Sequence, residues 1–309
     1  MKKYCNIPYF AFILIAVIVS VFSCNQKENP KKKETVLKGN VTIFVDETLT
    51  PIIEAQAEVF ENKYPATINL VSKSESETLN SLFNEKSAIA ILSRNLTPEE
   101  IKIFEQRKIN PKITPFATDG VAFIINKNST DSLVALKDIV SFVQGKNTPS
   151  IKGLVFDNLN SSTLRYVNAL AGIERSSQKG IFSFKTNDEV IKYVSENDNM
   201  IGVVGVNWLY EPKPGMKKYV EKVNTLRVKG LSGDASFLPT QNDIAEKKYP
   251  LARDLYIINC QGYSGLGMGF ASFIGGDIGQ RIILKSGLVP VRTPGRKLLI
   301  KTKSKDDEN

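Results

Sequence analysis

From residue 41 onward, short apolar stretches typical of buried strands alternate with segments whose apolar residues recur at helical spacing. This regular alternation of strand and helix predicts a parallel sheet with right-handed crossover connections, and hence an α/β fold. The predicted strands are 41–45, 68–71 and 88–92, and the predicted helices are 51–63, 78–85 and one that starts at Pro98 after the N-cap Thr97.

A longer apolar strand at 120–126 opens a second set of the same kind. Two α/β units joined by extended strands predict two lobes with a ligand cleft between them. The elements of the second set are helices at 136–144, 162–171 and 187–196 and strands at 153–156 and 201–206.

The first residues have the features of a targeting segment. Lys2 and Lys3 precede an apolar run at 7–22, which is too short to span about 30 Å of hydrocarbon. The run ends in Val-Phe-Ser before Cys24, which resembles a bacterial lipobox, and this implies a signal peptide at 1–23 and a diacylglycerol on Cys24. The alternative is a single anchoring helix with an incidental cysteine.

The polar, Lys-rich segment 24–38 is predicted to be a flexible tether that links the lipid anchor to the folded body. We expect the protein in the cell envelope. Asn25 occupies the position at which some bacteria use aspartate for inner-membrane retention, so the outer membrane is favoured, facing the periplasm or the surface.

Composition removes several classes of function. The chain has no histidine, which excludes Ser-His-Asp and Cys-His nucleophiles and histidine-ligated metals. Its charge of +9 lies mostly in the ends: residues 1–38 carry +5 and residues 292–309 carry +3, which leaves +1 for the body. A nucleic-acid groove needs basic residues on folded elements, so we expect no nucleic-acid partner. We also expect no cofactor, no metal site and a buried, inert Cys260.

Hydroxyl side chains follow the predicted strands, where α/β sheets bind ligands. They include Thr48 after the first strand, Ser74 and Ser76 after the second, and Ser161 to Thr163 near the start of a later helix. Helix N-termini offer free N–H groups and partial positive charge, so several of them converging on one cleft predict a site for a small oxyanion. The alternative is that these residues only cap helices.

Seven segments in order along the chain are distinctive: VDETLTPIIEAQAEVFENKYP at 45–65, SRNLTPEE at 93–100, TDGVAFIINKN at 118–128, NSSTLRYV at 160–167, IGVVGVNWL at 201–209, YPLARDLYIIN at 249–259 and GQRIILKSGLVPV at 279–291. On these segments, the chain resembles the phosphate-binding, PstS-type family of substrate-binding proteins. The resemblance implies a type II periplasmic-binding-protein fold, with lobe 1 at 39–118 and 254–309, lobe 2 at 119–253, and hinge strands between them.

The resemblance also implies a ligand set. Two of its positions differ from the family, because Arg94 stands where an aspartate is usual and Asp157 where an arginine is usual. The two charges either bind a protonated oxyanion with exchanged roles or pair with each other, and Glu75 and Glu77 add acids beside the site. The ligand-binding residues carried over are Thr48, Ser74, Ser76, Arg94, Asp157, Ser161, Ser162 and Thr163.

We therefore expect a monomeric, non-enzymatic, lipid-anchored solute-binding protein that takes phosphate or a related oxyanion and delivers it to an ABC permease. The alternative is an envelope interaction or sensor module with the same fold and an altered or lost ligand site.

Two other features have structural interpretations. The Gly-rich stretch 262–269 is predicted to lead into a helix at 270–274, and Tyr193, Trp208 and Tyr210 are predicted to pack rather than to bind ligand.

Overall fold

The computed structural model of the protein describes residues 34–84, 88–177 and 179–295. The predicted signal peptide, Cys24, most of the tether and the tail 296–309 lie outside the described residues. The strands are β1 (Gly39–Asp46), β2 (Ala66–Lys73), β3 (Ile89–Leu92), β4 (Lys112–Asn126), β5 (Leu133–Ala135), β6 (Leu154–Phe156), β7 (Ile181–Ser183), β8 (Ile201–Gly205), β9 (Val223–Thr225), β10 (Arg227–Lys229), β11 (Ser236–Phe237), β12 (Ala252–Asn259) and β13 (Val289–Pro290).

Most of the longer helices connect strands of the sheet or pack against it, and a short 3-10 turn, Glu47–Leu49, follows β1. The helices are α1 (Thr50–Lys63), α2 (Glu75–Phe83), α3 (Pro98–Gln106), α4 (Leu136–Val143), α5 (Ser162–Leu170), α6 (Asn187–Glu196), α7 (Asn207–Tyr210), α8 (Lys217–Val220), α9 (Gln241–Ala245), α10 (Leu266–Ile274) and α11 (Asp277–Lys285). Within the described ranges, none of these helices is long and apolar enough to cross a membrane.

The main sheet runs in the order β2-β1-β3-β12-β4-β8-β6-β7, and β9 and β13 also pair with β4. The predicted parallel pairing is confirmed for β1 with β2 and β3 and for β6 with β8, and β6 also pairs in parallel with β7, which was not predicted. Strand β4 is shared by both halves, because its first part pairs with β12 and its last part pairs with β8, both antiparallel. A separate three-stranded sheet holds β5, β10 and β11.

The sheet has two halves that share β4; we call the half with β1, β2, β3 and β12 lobe 1 and the half with β6, β7 and β8 lobe 2, and each has its own apolar core. Several predicted helices are confirmed closely, including α1, α6 and α3, which is capped by Thr97 and has Pro98 as its first residue. The core of lobe 1 includes Ile43, Phe60, Phe116, Leu255 and Phe270. The core of lobe 2 includes Phe123, Ile139, Phe156, Val203 and Leu251.

Two predicted helix starts were wrong. Helix α2 begins at Glu75 rather than at residue 78, because Ser74 and Glu77 form a capping box that fixes the N-terminus earlier. Helix α10 begins at Leu266 rather than at residue 270, so part of the Gly-rich stretch is helical. A Cβ on Gly269 would lie 1.6 Å from the Val36 carbonyl oxygen, so glycine is required for this close approach.

Candidate functional site

Two of the predicted ligand-binding hydroxyls meet between the lobes. Thr48 lies in the 3-10 turn after β1, in lobe 1, and Ser162 is the first residue of α5, in lobe 2. Both residues are fully buried, and their hydroxyl oxygens are 3.1 Å apart. The carbonyl of Thr48 also accepts hydrogen bonds from Asn207 Nδ2 at 3.2 Å and Trp208 Nε1 at 2.8 Å, both in lobe 2. Trp208 packs in a core cluster of lobe 2, as predicted. Its hydrogen bond to the Thr48 carbonyl also positions the Thr48 turn.

A buried arginine lies beside these hydroxyls. Arg253, on β12, donates from Nε and Nη2 to Asp119 Oδ2 at 3.2 and 3.0 Å, and the two residues are direct partners in the register of β12 and β4. Its Nη1 donates to Ser93 Oγ at 3.2 Å and to Ser162 Oγ at 2.9 Å. Burial disfavours the charge, but the charges of Asp119 and Asp46 outweigh burial and raise the pKa of Arg253.

Sequence reasoning missed Arg253 and Asp119, although both lie in segments that carry the family resemblance. The signal that could have found them is a charged residue inside an apolar strand, since a charge is rarely buried without a partner. Here that partner lies on the neighbouring strand, 134 residues away in sequence.

The turn that opens α5 brings together three more of the predicted residues. Ser161 caps α5 by accepting from Leu164 N, and its hydroxyl lies 3.0 Å from that of Thr163. Thr163 donates to Asp157 Oδ1 at 2.8 Å. All three side chains are buried, and burial raises the pKa of Asp157 even though hydrogen bonds from Thr163 and Ser161 favour its charged form.

Arg94 does not join this group. Its two terminal nitrogens donate to the two carboxylate oxygens of Glu100, each at 2.8 Å, and its Nε donates to Glu75 at 3.2 Å. The predicted alternative of an ion pair between Arg94 and Asp157 is therefore wrong, because Glu100, six residues further along the chain, forms a bidentate pair with Arg94 instead.

The two serines predicted after β2 differ from each other. Ser74 is buried and caps α2, and its hydroxyl lies 2.7 Å from a Glu77 carboxylate oxygen. Ser76 is exposed, and its hydroxyl donates to the Asn160 carbonyl in lobe 2 at 3.4 Å. The structure thus assigns helix capping to Ser74 and a long contact between the lobes to Ser76.

The two acids expected beside the site, Glu75 and Glu77, both have hydrogen-bond partners. Glu75 is buried and accepts hydrogen bonds from Ser93 Oγ, from Arg94 and from Arg165 of lobe 2, whose Nη2 lies 3.1 Å from Oε2. Glu77 belongs to the capping box of α2. Glu75 therefore links the lobes, and its charge is balanced by two guanidinium groups.

Two further buried acids, Asp46 and Glu47, lie at the end of β1 and directly after it. Burial raises the pKa of Asp46 to about 7, with a contribution from the Glu75 charge and opposition from Arg253. Glu47 accepts from Asn187 N at 3.1 Å and Asn187 Nδ2 at 2.5 Å. Burial, with the nearby charge of Asp157, raises the pKa of Glu47 to about 9. At neutral pH the site is therefore less negative than its count of carboxyl groups suggests.

Other chemistry finds little support in the described part of the chain. Those residues contain no group of three or more Asp, Glu or Cys side chains placed to hold a metal ion. Cys260 is half-buried, and burial raises its pKa to about 12, so its thiolate is scarce at neutral pH. Hydroxyls, one guanidinium and buried carboxyls are the groups that the site offers to a ligand.

A family model for the PBP superfamily domain matches residues 30–277, and the chain belongs to this superfamily. Its relatives include the phosphate-binding protein PstS of Borreliella burgdorferi, which is 26% identical over 299 residues, covering 91% of this chain and 98% of that protein. The PstS-type resemblance seen in the sequence is thereby confirmed.

The fold is also that of solved periplasmic binding proteins. A putative phosphate ABC transporter substrate-binding protein with bound phosphate from Clostridium perfringens has a TM-score of 0.66 at 22% identity, covering 82% of this chain and 100% of that one. An ABC-type phosphate transport receptor from Vibrio cholerae has a TM-score of 0.61 at 17% identity, with coverage of 82% and 100%. The predicted fold class is therefore confirmed.

Proposed function

We propose that this protein is a solute-binding protein that takes a small oxyanion, phosphate first, in the cleft between its lobes. The observation that carries the proposal is the buried Arg253, whose Nη1 edge faces hydroxyls rather than carboxylates. Those hydroxyls come from both lobes, since Ser93 belongs to lobe 1 and Ser162 to lobe 2. An anion bound there would contact both lobes only when they are closed, and so would favour the closed state.

Phosphate suits the rest of the site better than a fully deprotonated anion does. Asp46 Oδ2 and Asp157 Oδ2 are buried without a hydrogen-bond partner among the described residues. These oxygens can accept a hydrogen bond from a hydroxyl group, and a protonated phosphate has such a hydroxyl. The PstS of Borreliella burgdorferi and the Clostridium perfringens structure, which are described as a phosphate-binding protein and as phosphate-bound, support the same choice.

The cellular setting is part of the proposal. Cleavage before Cys24 and lipidation of its thiol would anchor a monomer through the tether 24–38 to an envelope membrane, with the outer membrane favoured. The closed, loaded form would deliver its ligand to an ABC importer, a role that the name of the Clostridium perfringens protein supports. Its role would be binding rather than catalysis.

The test is isothermal titration of the full chain, solubilised in detergent, with phosphate and separately with sulfate. We expect phosphate to bind with micromolar or tighter affinity and sulfate to bind more weakly. Silence toward both anions and toward other small oxyanions would contradict transport as the function.

A second candidate is a sensor or interaction module whose ligand site is altered. It is favoured by the contacts among Thr48, Ser162 and Arg253, which satisfy one another within the cleft. Replacing Asp157 with alanine separates the two candidates. A solute-binding site would change its phosphate affinity, whereas an altered site would change only in stability.

A further inference from the structure

The Ser162 hydroxyl lies at the centre of the proposed anion site. Its oxygen is 2.9 Å from Arg253 Nη1 and 3.1 Å from Thr48 Oγ1, and the residue is fully buried. Asp119 orients the guanidinium of Arg253 by accepting hydrogen bonds from Nε and Nη2, so Nη1 is the nitrogen that faces the hydroxyls. The oxygen of Ser162 therefore accepts a hydrogen bond from a cation and shares a second hydrogen bond with the Thr48 hydroxyl, in which either oxygen can be the donor.

This is the environment that an oxygen of a bound oxyanion would have. Charged donors form stronger hydrogen bonds with anionic oxygens than with neutral hydroxyls. Resting on the proposed function, we infer that Ser162 Oγ occupies the position of a ligand oxygen in the closed cleft, and that phosphate must displace it. Ser162 is then a determinant of affinity that acts as an internal competitor of the ligand.

The neighbouring hydroxyls are held by other groups and are poorer candidates for this role. Ser93 donates to Glu75 at 3.2 Å, which fixes its hydroxyl toward lobe 1. The turn that carries Thr48 is held by Asp46, which accepts from the Thr48 backbone N–H, and by two lobe 2 side chains that donate to the Thr48 carbonyl. The hydrogen bonds of Ser162 Oγ to Arg253 and Thr48, in contrast, both lie in the cleft, and rotation about χ1 would release them together.

The inference predicts opposite effects of one substitution on the free and the loaded protein. In Ser162→Ala, the free closed form loses both hydrogen bonds, while the guanidinium edge is left ready for the ligand. Because a net hydrogen bond corresponds to about a tenfold change in an equilibrium constant, we expect S162A to bind phosphate about tenfold more tightly than the wild type. Without phosphate, S162A should melt at a lower temperature, and phosphate should raise its melting temperature more than that of the wild type.

The experiment compares phosphate titrations and melting curves of the full chain in detergent. Ser162→Thr keeps the hydroxyl, so we expect no gain in phosphate affinity. This variant also tests the inference if S162A folds poorly, because a tenfold gain in affinity in S162T would overturn it. Ser195→Ala is the matched control, since Ser195 is a buried lobe 2 serine whose hydroxyl bonds to the Lys192 carbonyl of its own helix.

The outcomes separate this inference from the proposed function. If the wild type binds phosphate and S162A binds equally or less tightly, Ser162 does not compete with the ligand, so the inference fails while the function stands. If the wild type is silent and S162A binds, the inference is supported and phosphate carriage by the natural protein fails. If neither binds, both are wrong.

Discussion

Two arginine clusters lie near the cleft and differ in what their guanidinium groups face. Arg253 is fully buried and meets one carboxylate, from Asp119, on one side and hydroxyls on the other. Arg94 is one-fifth exposed and has each terminal nitrogen on a Glu100 oxygen, with Glu75 on Nε. Under the proposed function, an anion at the Nη1 edge of Arg253 would replace neutral hydroxyls, whereas an anion at Arg94 would have to displace a bidentate ion pair with Glu100.

Burial and the nature of the partner, rather than the presence of an arginine, therefore decide which cluster can bind an anion. An arginine saturated by carboxylates contributes to structure, because its charge is already neutralised by well-placed acceptors. Glu75 illustrates this, since it joins Arg94 of lobe 1 to Arg165 of lobe 2. We interpret the Arg94–Glu75–Arg165 cluster as a link that favours closure and the Arg253 cluster as the site.

Lysine substitution at the two arginines tests this comparison most strongly. Arg253→Lys keeps the buried charge but loses the planar fork, and we expect phosphate affinity to fall about 100-fold, in line with the loss of a buried, hydrogen-bonded charge contact. Arg94→Lys should change affinity less than about threefold, as expected for a partly exposed ion pair. Isothermal titration of both variants measures the contrast, and equal losses would contradict it.

A pH series tests the acids around Arg253. Asp46 and Glu47 have ordinary values of 3.8 and 4.5 and folded pKa values of about 7 and about 9, raised chiefly by burial. Between the ordinary and the folded pKa values, the folded protein binds more protons than the unfolded chain. The contribution of these two groups to stability is therefore greatest below about pH 4 and is lost as the pH rises through their folded pKa values. We expect the melting temperature to fall by about 3 °C or more between about pH 5 and pH 9.

Amide variants show whether these two groups cause the fall. Asp46→Asn and Glu47→Gln should each flatten the slope of melting temperature against pH, because the amides do not titrate. Glu58→Gln, at an exposed position on α1, should keep the wild-type slope. An unchanged slope in both Asp46→Asn and Glu47→Gln would show that other groups cause the fall in melting temperature.

The longer helices and strands were predictable from the local pattern of apolar residues, and the shortest strands were mostly not. Helix α6 was predicted with its observed bounds, whereas β5, β7, β9, β10, β11 and β13 were not predicted, since most strands of two or three residues carry too little periodicity to detect. Strand β4 starts eight residues before its predicted start, because pairing with β12 extends it.

The site was predictable where its residues follow strands in sequence. Thr48, Ser162 and Thr163 could be chosen because polar residues after a strand lie at the sheet edge that binds ligands. Arg253 was not chosen, because a charge inside an apolar strand predicts a buried partner but does not say which one, and the partner lies 134 residues away. The pairing of Arg94 did have a local signal, since Glu100 is the third residue of a helix capped by Thr97, close enough to reach back.

The Arg165 pair with Glu75 tests whether the exposed cluster favours closure. Arg165→Gln removes a contact between the lobes whose arginine side chain is 37% exposed, so solvent weakens its contribution. We expect phosphate affinity to fall about threefold, through easier opening rather than a lost ligand contact. Small-angle scattering of the phosphate-free variant should show a larger radius of gyration than the wild type. An unchanged radius with lower affinity would instead indicate that Arg165 contacts the ligand.

The smallest expected effect concerns Ser76, which sequence reasoning placed in the site and the structure places on its rim. Its hydroxyl makes one 3.4 Å hydrogen bond to the Asn160 carbonyl, and the residue is exposed. Exposed substitutions away from buried networks rarely change stability by more than about 0.5 kcal/mol, so Ser76→Ala should alter phosphate affinity by less than about twofold. Titration beside Thr48→Ala, which loses the buried hydroxyl next to Arg253, supplies the comparison. A tenfold loss in S76A would move the ligand toward α2, and Arg94 rather than Arg253 would then become the first candidate for its cationic partner.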